Sequence, residues 1–209
     1  RPGWGTRYYL NVKDYKEESH FHSPRIMQAA ANWIAQSHGH DKFFLWIESF
    51  DVHEPFHIPE PYRSMYTSDL NSEYTCWPPY QDPAQMRRFL EWAPPGQLKY
   101  IRAQYAGKVT MMDKWVGKVF QQLDDQNLWD NTMVIVTTDH GHDLGYNRQF
   151  GKQWPHYESH ANIPLMIWHP GQKGRGRRIE AITSAVDLYP TILEALGNGA
   201  IQSPNGRSL

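Results

Sequence analysis

The sequence predicts an α/β fold in which a parallel or mostly parallel sheet is flanked by helices. Two apolar runs of strand length, residues 43–47 and 133–136, are each followed by polar residues. Between them, residues 99–123 carry apolar side chains at spacings of three and four, which is typical of an amphipathic helix. A strand, a helix and a second strand in this order indicate a parallel pair.

The N-terminal half is predicted to contain an arm, a helix, a strand and a long loop. Residues 1–22 are polar and aromatic without a clear period, so an irregular arm is expected. Ser23 and Pro24 predict the start of a helix, as N-cap and first helical residue. Residues 62–98 follow the strand of residues 43–47, are rich in Tyr, Trp and Pro, and predict a surface insertion.

The C-terminal half is predicted to supply further strands and a last helix. After the central strand, residues 133–136, the chain enters a glycine-rich loop. Residues 163–168 then read as another strand, and residues 179–186 as a short one. Asp187 is expected to cap the final helix and Gly197 to end it.

Size and composition restrict the class of protein. The chain has 209 residues, which fits one domain. Its net charge of -1 gives no electrostatic reason to expect a nucleic-acid partner. The single cysteine excludes an internal disulfide. No apolar run approaches the roughly 18 residues that span a bilayer, so no membrane span is predicted.

Four side chains with chemical potential follow strand ends or lie in loops that could cover them. Asp139 and His140 come directly after the central strand, and His53 lies in the prolyl loop after the first. Lys152 follows the glycine-rich loop. In open α/β sheets, ligands bind beyond the carboxyl ends of strands. A carboxylate, two imidazoles and an ammonium suit hydrolysis of an ester of a strong oxyacid.

Three of these residues, and Asp51 just before His53, also have a purely structural interpretation. Asp139 and His140 could belong to a polar turn that leaves the core. Asp51 could cap a turn, and His53 could bind a loop carbonyl. The residues alone do not decide between the two interpretations.

Several blocks of the chain together resemble the sulfatase family of the alkaline phosphatase superfamily. They occur in the family's order from about residue 23 to the end of the chain. The blocks are residues 43–56 with 59–62, residues 105–113, residues 134–141 with 151–152 and 157–158, residues 163–165 with 170–171, and residues 186–193 with 206–209.

The resemblance implies a role for particular residues. Asp139 and His140 would be ligands of a divalent metal, most often calcium. Lys152 would contact the sulfate, and His53 would contact it or protonate the leaving group. His156 is a weaker candidate for substrate binding, because one extra residue separates Lys152 from the following tyrosine compared with the usual spacing. The resemblance also implies an alkaline-phosphatase-like fold, which the chain would hold incompletely.

Two other histidines are given no catalytic role. His142 and His160 are interpreted as histidines on the surface or behind the site.

The family's nucleophile motif, Cys or Ser-x-Pro-x-Arg, does not occur in the 209 residues. Cys76 has a proline at the matching offset, but Tyr80 stands where the arginine would be, and the motif follows His53 instead of preceding it. We therefore expect Cys76 to be a loop thiol. The chain is expected to be the C-terminal part of a sulfatase catalytic domain, inactive alone, with the formylglycine nucleophile in the missing N-terminal part.

The function that the resemblance implies is metal-dependent hydrolysis of a small-molecule or carbohydrate sulfate ester. The aromatic residues of the 62–98 insertion would suit a sugar ring. Two alternatives stay open: a phosphodiester or phosphonate ester hydrolase of the same superfamily, and a non-catalytic metal- or sugar-binding derivative. Family analogy suggests export to a periplasmic, extracellular or lysosomal compartment, and the compartment itself is left unassigned.

Overall fold

The computed structural model describes residues 4–40, 42–77, 82–171, 174–198 and 205–209. Short 3₁₀ turns span Glu18–His20 and Ala185–Asp187. The helices are α1 (Trp4–Val12), α2 (His22–Ser37), α3 (Tyr62–Met65), α4 (Pro83–Trp92), α5 (Gln97–Asp125), α6 (Glu158–Ala161) and α7 (Leu188–Ala195). The strands are β1 (Val134–Thr137), β2 (Asp143–Leu144), β3 (Phe150–Gly151) and β4 (Leu165–Trp168).

The larger hydrophobic core lies between α2 and α5. The predicted long helix is confirmed, and it extends two residues beyond the predicted range at each end. Its buried face and the apolar face of α2 meet because both repeat at helical spacing. The core side chains include Met27, Ala30 and Ile34 of α2 and Met111, Trp115, Val119 and Leu123 of α5.

The predicted apolar stripe of α5 is right in part. Ile101, Val119 and Leu123 are buried as expected, but Val109 is 41% exposed. Met111 and Trp115 are buried instead. The helix therefore turns a slightly different face to the core than the spacing alone predicts.

Helix α2 does not begin with Ser23 as its N-cap. The N-cap is Phe21, which has extended backbone angles and makes no side-chain capping bond. Ser23 is buried, and its hydroxyl donates to Asp51 Oδ2 at 2.5 Å. The serine is used for a tertiary contact and not for a cap.

The expectation of an irregular arm over residues 1–22 is wrong. This segment contains α1 and the 3₁₀ turn that precedes α2. Glu18 of that turn accepts hydrogen bonds from Tyr62 and from Lys114 of α5, both at 2.5 Å. Tertiary contacts therefore order a segment whose own sequence has no clear period.

Residues 62–98 are not a loop throughout. They include α3 and α4, and Asp82 caps α4 by accepting from the backbone N–H groups of Ala84 and Gln85, both at 2.8 Å. Met86 and Phe89 of α4 are buried in a second core cluster with Ile101 and Phe150, among others. The helical period here was hidden by the flanking proline- and tyrosine-rich sequence.

The described strands pair in two short antiparallel ladders. β1 pairs with β4, with Val134 opposite Trp168 and Thr137 opposite Leu165. β2 pairs with β3. The predicted strands at residues 133–136 and 163–168 are thus confirmed over residues 134–136 and 165–168. No parallel pair is found among the described residues.

The predicted first strand is unpaired within the described part of the chain. Residues 43–47 have no ladder hydrogen bonds, although their burial alternates as in a strand. Phe43, Leu45 and Ile47 pack on the α2–α5 core, while Phe44 and Trp46 are 62% and 67% exposed. No partner strand lies beside this segment among the residues described.

The remaining strand prediction, at residues 179–186, is wrong. That segment is irregular and ends in the 3₁₀ turn before α7. Asp187 does precede α7, but its carboxylate makes no side-chain cap and instead accepts from the backbone N–H groups of Ser184 and Arg207. Gly197, at φ +83°, follows α7 as predicted.

None of the helices in the described ranges combines the length and apolar composition needed to cross a bilayer.

The loop after β1 is tied to α6 and to β3 by His160. The backbone N–H of Gly141 donates to the His160 carbonyl at 2.8 Å, and His160 Nε2 lies 2.8 Å from the Gly151 carbonyl. His160 is 5% exposed. These two hydrogen bonds connect the residue after His140 to the residue before Lys152.

We predict that Gly141→Ala destabilises the chain, because a Cβ at this position would overlap the Ser159 carbonyl oxygen. Overpacking of this kind typically costs about 1–3 kcal/mol, and urea unfolding measures it. The matched control is Gly117→Ala in α5, where a Cβ meets nothing within 4 Å. That control should be neutral or stabilise by up to about 1 kcal/mol. Equal stability of both variants would contradict the close packing of the loop.

Candidate active site

His53 lies in the loop that follows the extended segment, and its ring is held by Glu54 and Phe50. Nδ1 is 2.7 Å from the Glu54 carbonyl oxygen and 3.2 Å from Glu54 Oε2. The ring stacks on Phe50 at a centroid distance of 4.1 Å. A carbonyl oxygen only accepts, so Nδ1 carries the hydrogen and the Nε2 lone pair is available to accept.

Lys152, directly after β3, completes this arrangement. Its Nζ lies 2.7 Å from His53 Nε2, although the two residues are 99 positions apart in the chain. An ammonium group only donates, which agrees with a neutral His53 ring that accepts at Nε2. The two predicted catalytic side chains are therefore brought into direct contact.

Glu54 joins a second histidine to this pair. Glu54 is 4% exposed, and its Oε2 lies 3.4 Å from His142 Nδ1. Burial lowers the pKa of His142 to about 4, against the opposing effect of the Glu54 carboxylate. The His142 ring also packs edge-on against Phe56 and Phe150.

The interpretation of His142 and His160 as surface histidines is wrong, because His160 is buried and the side chain of His142 is only 9% exposed. The alternative, that they lie behind the site, agrees with their contacts. Glu54 was not singled out from the sequence. The available signal in the sequence was the position of Glu54, directly between the candidate His53 and Pro55.

Asp139 and His140 follow β1 and face solvent. Their side chains are 83% and 40% exposed. The His140 backbone N–H donates to Asp139 Oδ1 at 2.9 Å, and His140 Nδ1 lies 2.9 Å from the Gly141 carbonyl. Nδ1 therefore carries the hydrogen, and Nε2 is left with its lone pair, 3.5 Å from Asp139 Oδ2.

This geometry fits two positions of a metal site. A ring N–H that donates to a backbone carbonyl is the usual arrangement behind a metal-binding imidazole. A carboxylate oxygen and an imidazole lone pair then lie on the same exposed turn. Within the described residues, no group of three or more His, Cys, Asp or Glu side chains is placed to hold a metal. The turn thus offers part of a ligand set.

The two parts of the predicted site are connected indirectly, and among the described residues no hydrogen bond or ion pair joins Asp139 or His140 to His53 or Lys152. His160 joins the loop of Asp139 and His140 to the strand that leads into Lys152. The sequence-predicted residues therefore form two pairs, one of His53 with Lys152 and one of Asp139 with His140.

His156 is not placed in the His53–Lys152 contact. Its ring is exposed, and its ring neighbours are Trp154 and His160, both at 5.4 Å. Its role in substrate binding stays a prediction.

Cys76 has the environment of an inert thiol. Burial raises the pKa of its thiol, so the nucleophilic thiolate is disfavoured. Its carbonyl accepts a hydrogen bond from the Phe56 N–H at 2.9 Å. Tyr80 stands in the place of the motif's arginine, and it lies outside the described residues.

Comparison with known proteins agrees with the geometry. The model of the Sulfatase family matches residues 4–198. Among curated relatives, the multifunctional alkaline phosphatase superfamily protein PehA of Trinickia caryophylli is 32% identical over 188 residues, which are 80% of this chain and 36% of that protein. Arylsulfatase K of Homo sapiens is 32% identical over 168 residues, or 78% of this chain and 28% of that protein. The chain thus spans about a third of the length of these relatives.

Solved structures show the same fold. A phosphonate monoester hydrolase from Silicibacter pomeroyi superimposes with a TM-score of 0.76 and 26% identity, covering 93% of this chain and 41% of the other. A putative sulfatase from Bacteroides fragilis gives a TM-score of 0.67 at 24% identity over 85% of this chain and 37% of the other, which supports the fold alone. The chain has the alkaline-phosphatase-like fold of these proteins, and it belongs to the sulfatase family.

Proposed function

We propose that the protein is a sulfuric ester hydrolase and that this chain supplies its leaving-group acid, one cationic sulfate contact and two metal ligands. The observation that carries the proposal is the 2.7 Å contact between Lys152 Nζ and His53 Nε2. An ammonium and an imidazole in contact, both partly shielded from solvent, form a site for an oxyanion and its leaving oxygen.

The proposed role of Lys152 is to compensate the charge of the bound sulfate. Lys152 sits as a compact positive charge beside His53, and Lys is suited to neutralising an oxyanion as a point charge. A bound sulfate group would replace His53 as an acceptor for the ammonium. That exchange would leave His53 Nε2 facing the ester oxygen.

The proposed role of His53 is to protonate that oxygen. When the ring is protonated, Nε2 can donate to the leaving group while Nδ1 keeps its bonds to the carbonyl and carboxylate of Glu54. Glu54 therefore both orients the ring and compensates its positive charge.

Asp139 and His140 are proposed to hold the divalent metal that family resemblance implies, with calcium as the first candidate. When bound, such a metal supplies positive charge that polarises the oxyanion. The remaining ligands and the formylglycine nucleophile are proposed to lie outside these 209 residues, because the nucleophile motif does not occur in them.

An exposed apolar face is the proposed contact for those other parts of the domain. Phe44, Trp46 and Phe50 are 62%, 67% and 68% exposed on one side of the extended segment. Met166 of β4 is 58% exposed. Side chains of this type on strand-like segments are ordinarily covered in a complete sheet.

The substrate is proposed to be a small-molecule or carbohydrate sulfate ester. Exposed aromatic side chains such as Trp92, which is 72% exposed, could pack on a sugar ring. The second candidate function is phosphonate ester hydrolysis. It is favoured by the 26% identity and high structural similarity to the phosphonate monoester hydrolase.

We predict that the full-length gene product hydrolyses 4-nitrophenyl sulfate and that Lys152→Met lowers kcat/KM by about 10²–10³-fold, as expected for loss of a group that stabilises developing charge. The matched control is Lys99→Met, since Lys99 is exposed on α5. Faster turnover of a phenylphosphonate ester than of the sulfate would replace the sulfatase assignment by the second candidate. Turnover of neither ester would contradict both.

We also predict that Asp139→Asn lowers the divalent-metal affinity of the full-length gene product by at least about tenfold, because a charged oxygen ligand is replaced by a neutral one. Elemental analysis after dialysis against graded calcium concentrations measures it. Asp113→Asn, at an exposed position of α5, is the control. Unchanged metal content in Asp139→Asn would show that the metal is held elsewhere.

A further inference from the structure

Lys108 of α5 is a buried lysine next to the loop that carries His53. It is 4% exposed. Burial of an ammonium is costly unless its donors are used and its charge is paired. The position therefore requires an explanation beyond helix packing.

All three donors of the ammonium have a partner in the His53 loop. Lys108 Nζ forms an ion pair with Asp51 Oδ1 at 2.6 Å. It donates to the backbone carbonyl of His53 at 2.8 Å and to that of Pro55 at 3.0 Å. These acceptors lie on both sides of Glu54, so one side chain holds the backbone of the whole turn.

The partner carboxylate is itself held. Asp51 Oδ2 accepts from the Ser23 hydroxyl at 2.5 Å, and Ser49 Oγ donates to Ser23 Oγ at 2.7 Å. The Asp51 backbone N–H donates to Ser49 Oγ at 3.3 Å. The network thus ties the His53 loop to α2 as well as to α5.

We infer that Lys108 is a positioning residue for the reaction, which fixes the His53 loop so that the imidazole meets Lys152 and the leaving oxygen. The inference rests on the proposed function of His53 as the acid. In this role the buried ammonium of Lys108 acts through the backbone of the His53 loop, without binding the metal or the sulfate itself.

A purely structural role makes a different prediction from a positioning role. If Lys108 only stabilises the fold, its loss lowers the stability and affects all substrates equally. If Lys108 positions the acid, its removal lowers kcat by a factor that depends on the leaving group. Phenyl sulfate needs protonation of its leaving oxygen more than 4-nitrophenyl sulfate does, because phenol is the weaker acid.

The experiment compares Lys108→Met in the full-length gene product with wild type on both esters. We expect kcat for phenyl sulfate to fall about 10²-fold, which is the scale of loss for an Ångström-sized misplacement. The loss with 4-nitrophenyl sulfate should be several-fold smaller, and KM should change little. Lys108→Arg keeps the charge and donors, so it should recover part of the rate.

Lys114→Met is the matched control. Lys114 lies on the same helix and also pairs with a carboxylate, but its side chain is 52% exposed, and its partner Glu18 lies in the 3₁₀ turn before α2 and not in the His53 loop. The kcat values of Lys114→Met on both esters should stay within about twofold of wild type, since exposed ion pairs contribute little to stability.

The double variant Asp51→Asn with Lys108→Met keeps the test decisive if the single variant does not fold, because it removes both charges together. It should fold and still show the leaving-group-dependent loss. Equal losses on both esters, or wild-type rates in the double variant, would overturn the positioning role while leaving the proposed function intact. A wild-type protein that hydrolyses neither a sulfate nor a phosphonate ester would overturn both.

Discussion

The hydrogen bond between Lys152 and His53 is the interaction on which the proposed site depends. It joins two loops that are separated by 99 residues, and it does so at a 2.7 Å distance between the two side-chain nitrogens. The His53 loop is held by Lys108 of α5, and the Lys152 loop is held through His160. The site is therefore held by buried polar side chains of α5 and α6 that bind backbone carbonyls, and not by the hydrophobic side chains themselves.

The long periodic elements of the fold could be predicted from the sequence. α5 has apolar residues at helical spacing, and β1 and β4 are short apolar runs, so these elements were predicted correctly and only their ends moved. α1 and α4 were missed for a physical reason: short helices depend on tertiary contacts and caps more than on pattern. For α4, the sequence Asp82-Pro83 was an available start signal, and the structure uses Asp82 as the N-cap. Strand pairing could not be predicted, because periodicity says nothing about the direction of a neighbour.

The chemical candidates were found because they follow strand ends, where the family motif also places them. His53 and Lys152 meet, and Asp139 with His140 forms an exposed turn. The buried supports of the site, Glu54 and Lys108 among them, carry no spacing signature. Their importance comes from burial and from the carbonyls that face them, which only three-dimensional contacts reveal. His156 was placed by analogy; its exposed ring lies beside Trp154, and its role in substrate binding stays a prediction.

The tautomer of His53 tests the central contact most directly, and long-range ¹H–¹⁵N NMR of the chain at a pH where the ring is neutral measures it. We expect hydrogen on Nδ1 and a bare Nε2, because Nδ1 faces the Glu54 carbonyl and Nε2 faces the Lys152 ammonium. A His53 ring with its hydrogen predominantly on Nε2 would contradict the contact, and with it the proposed site.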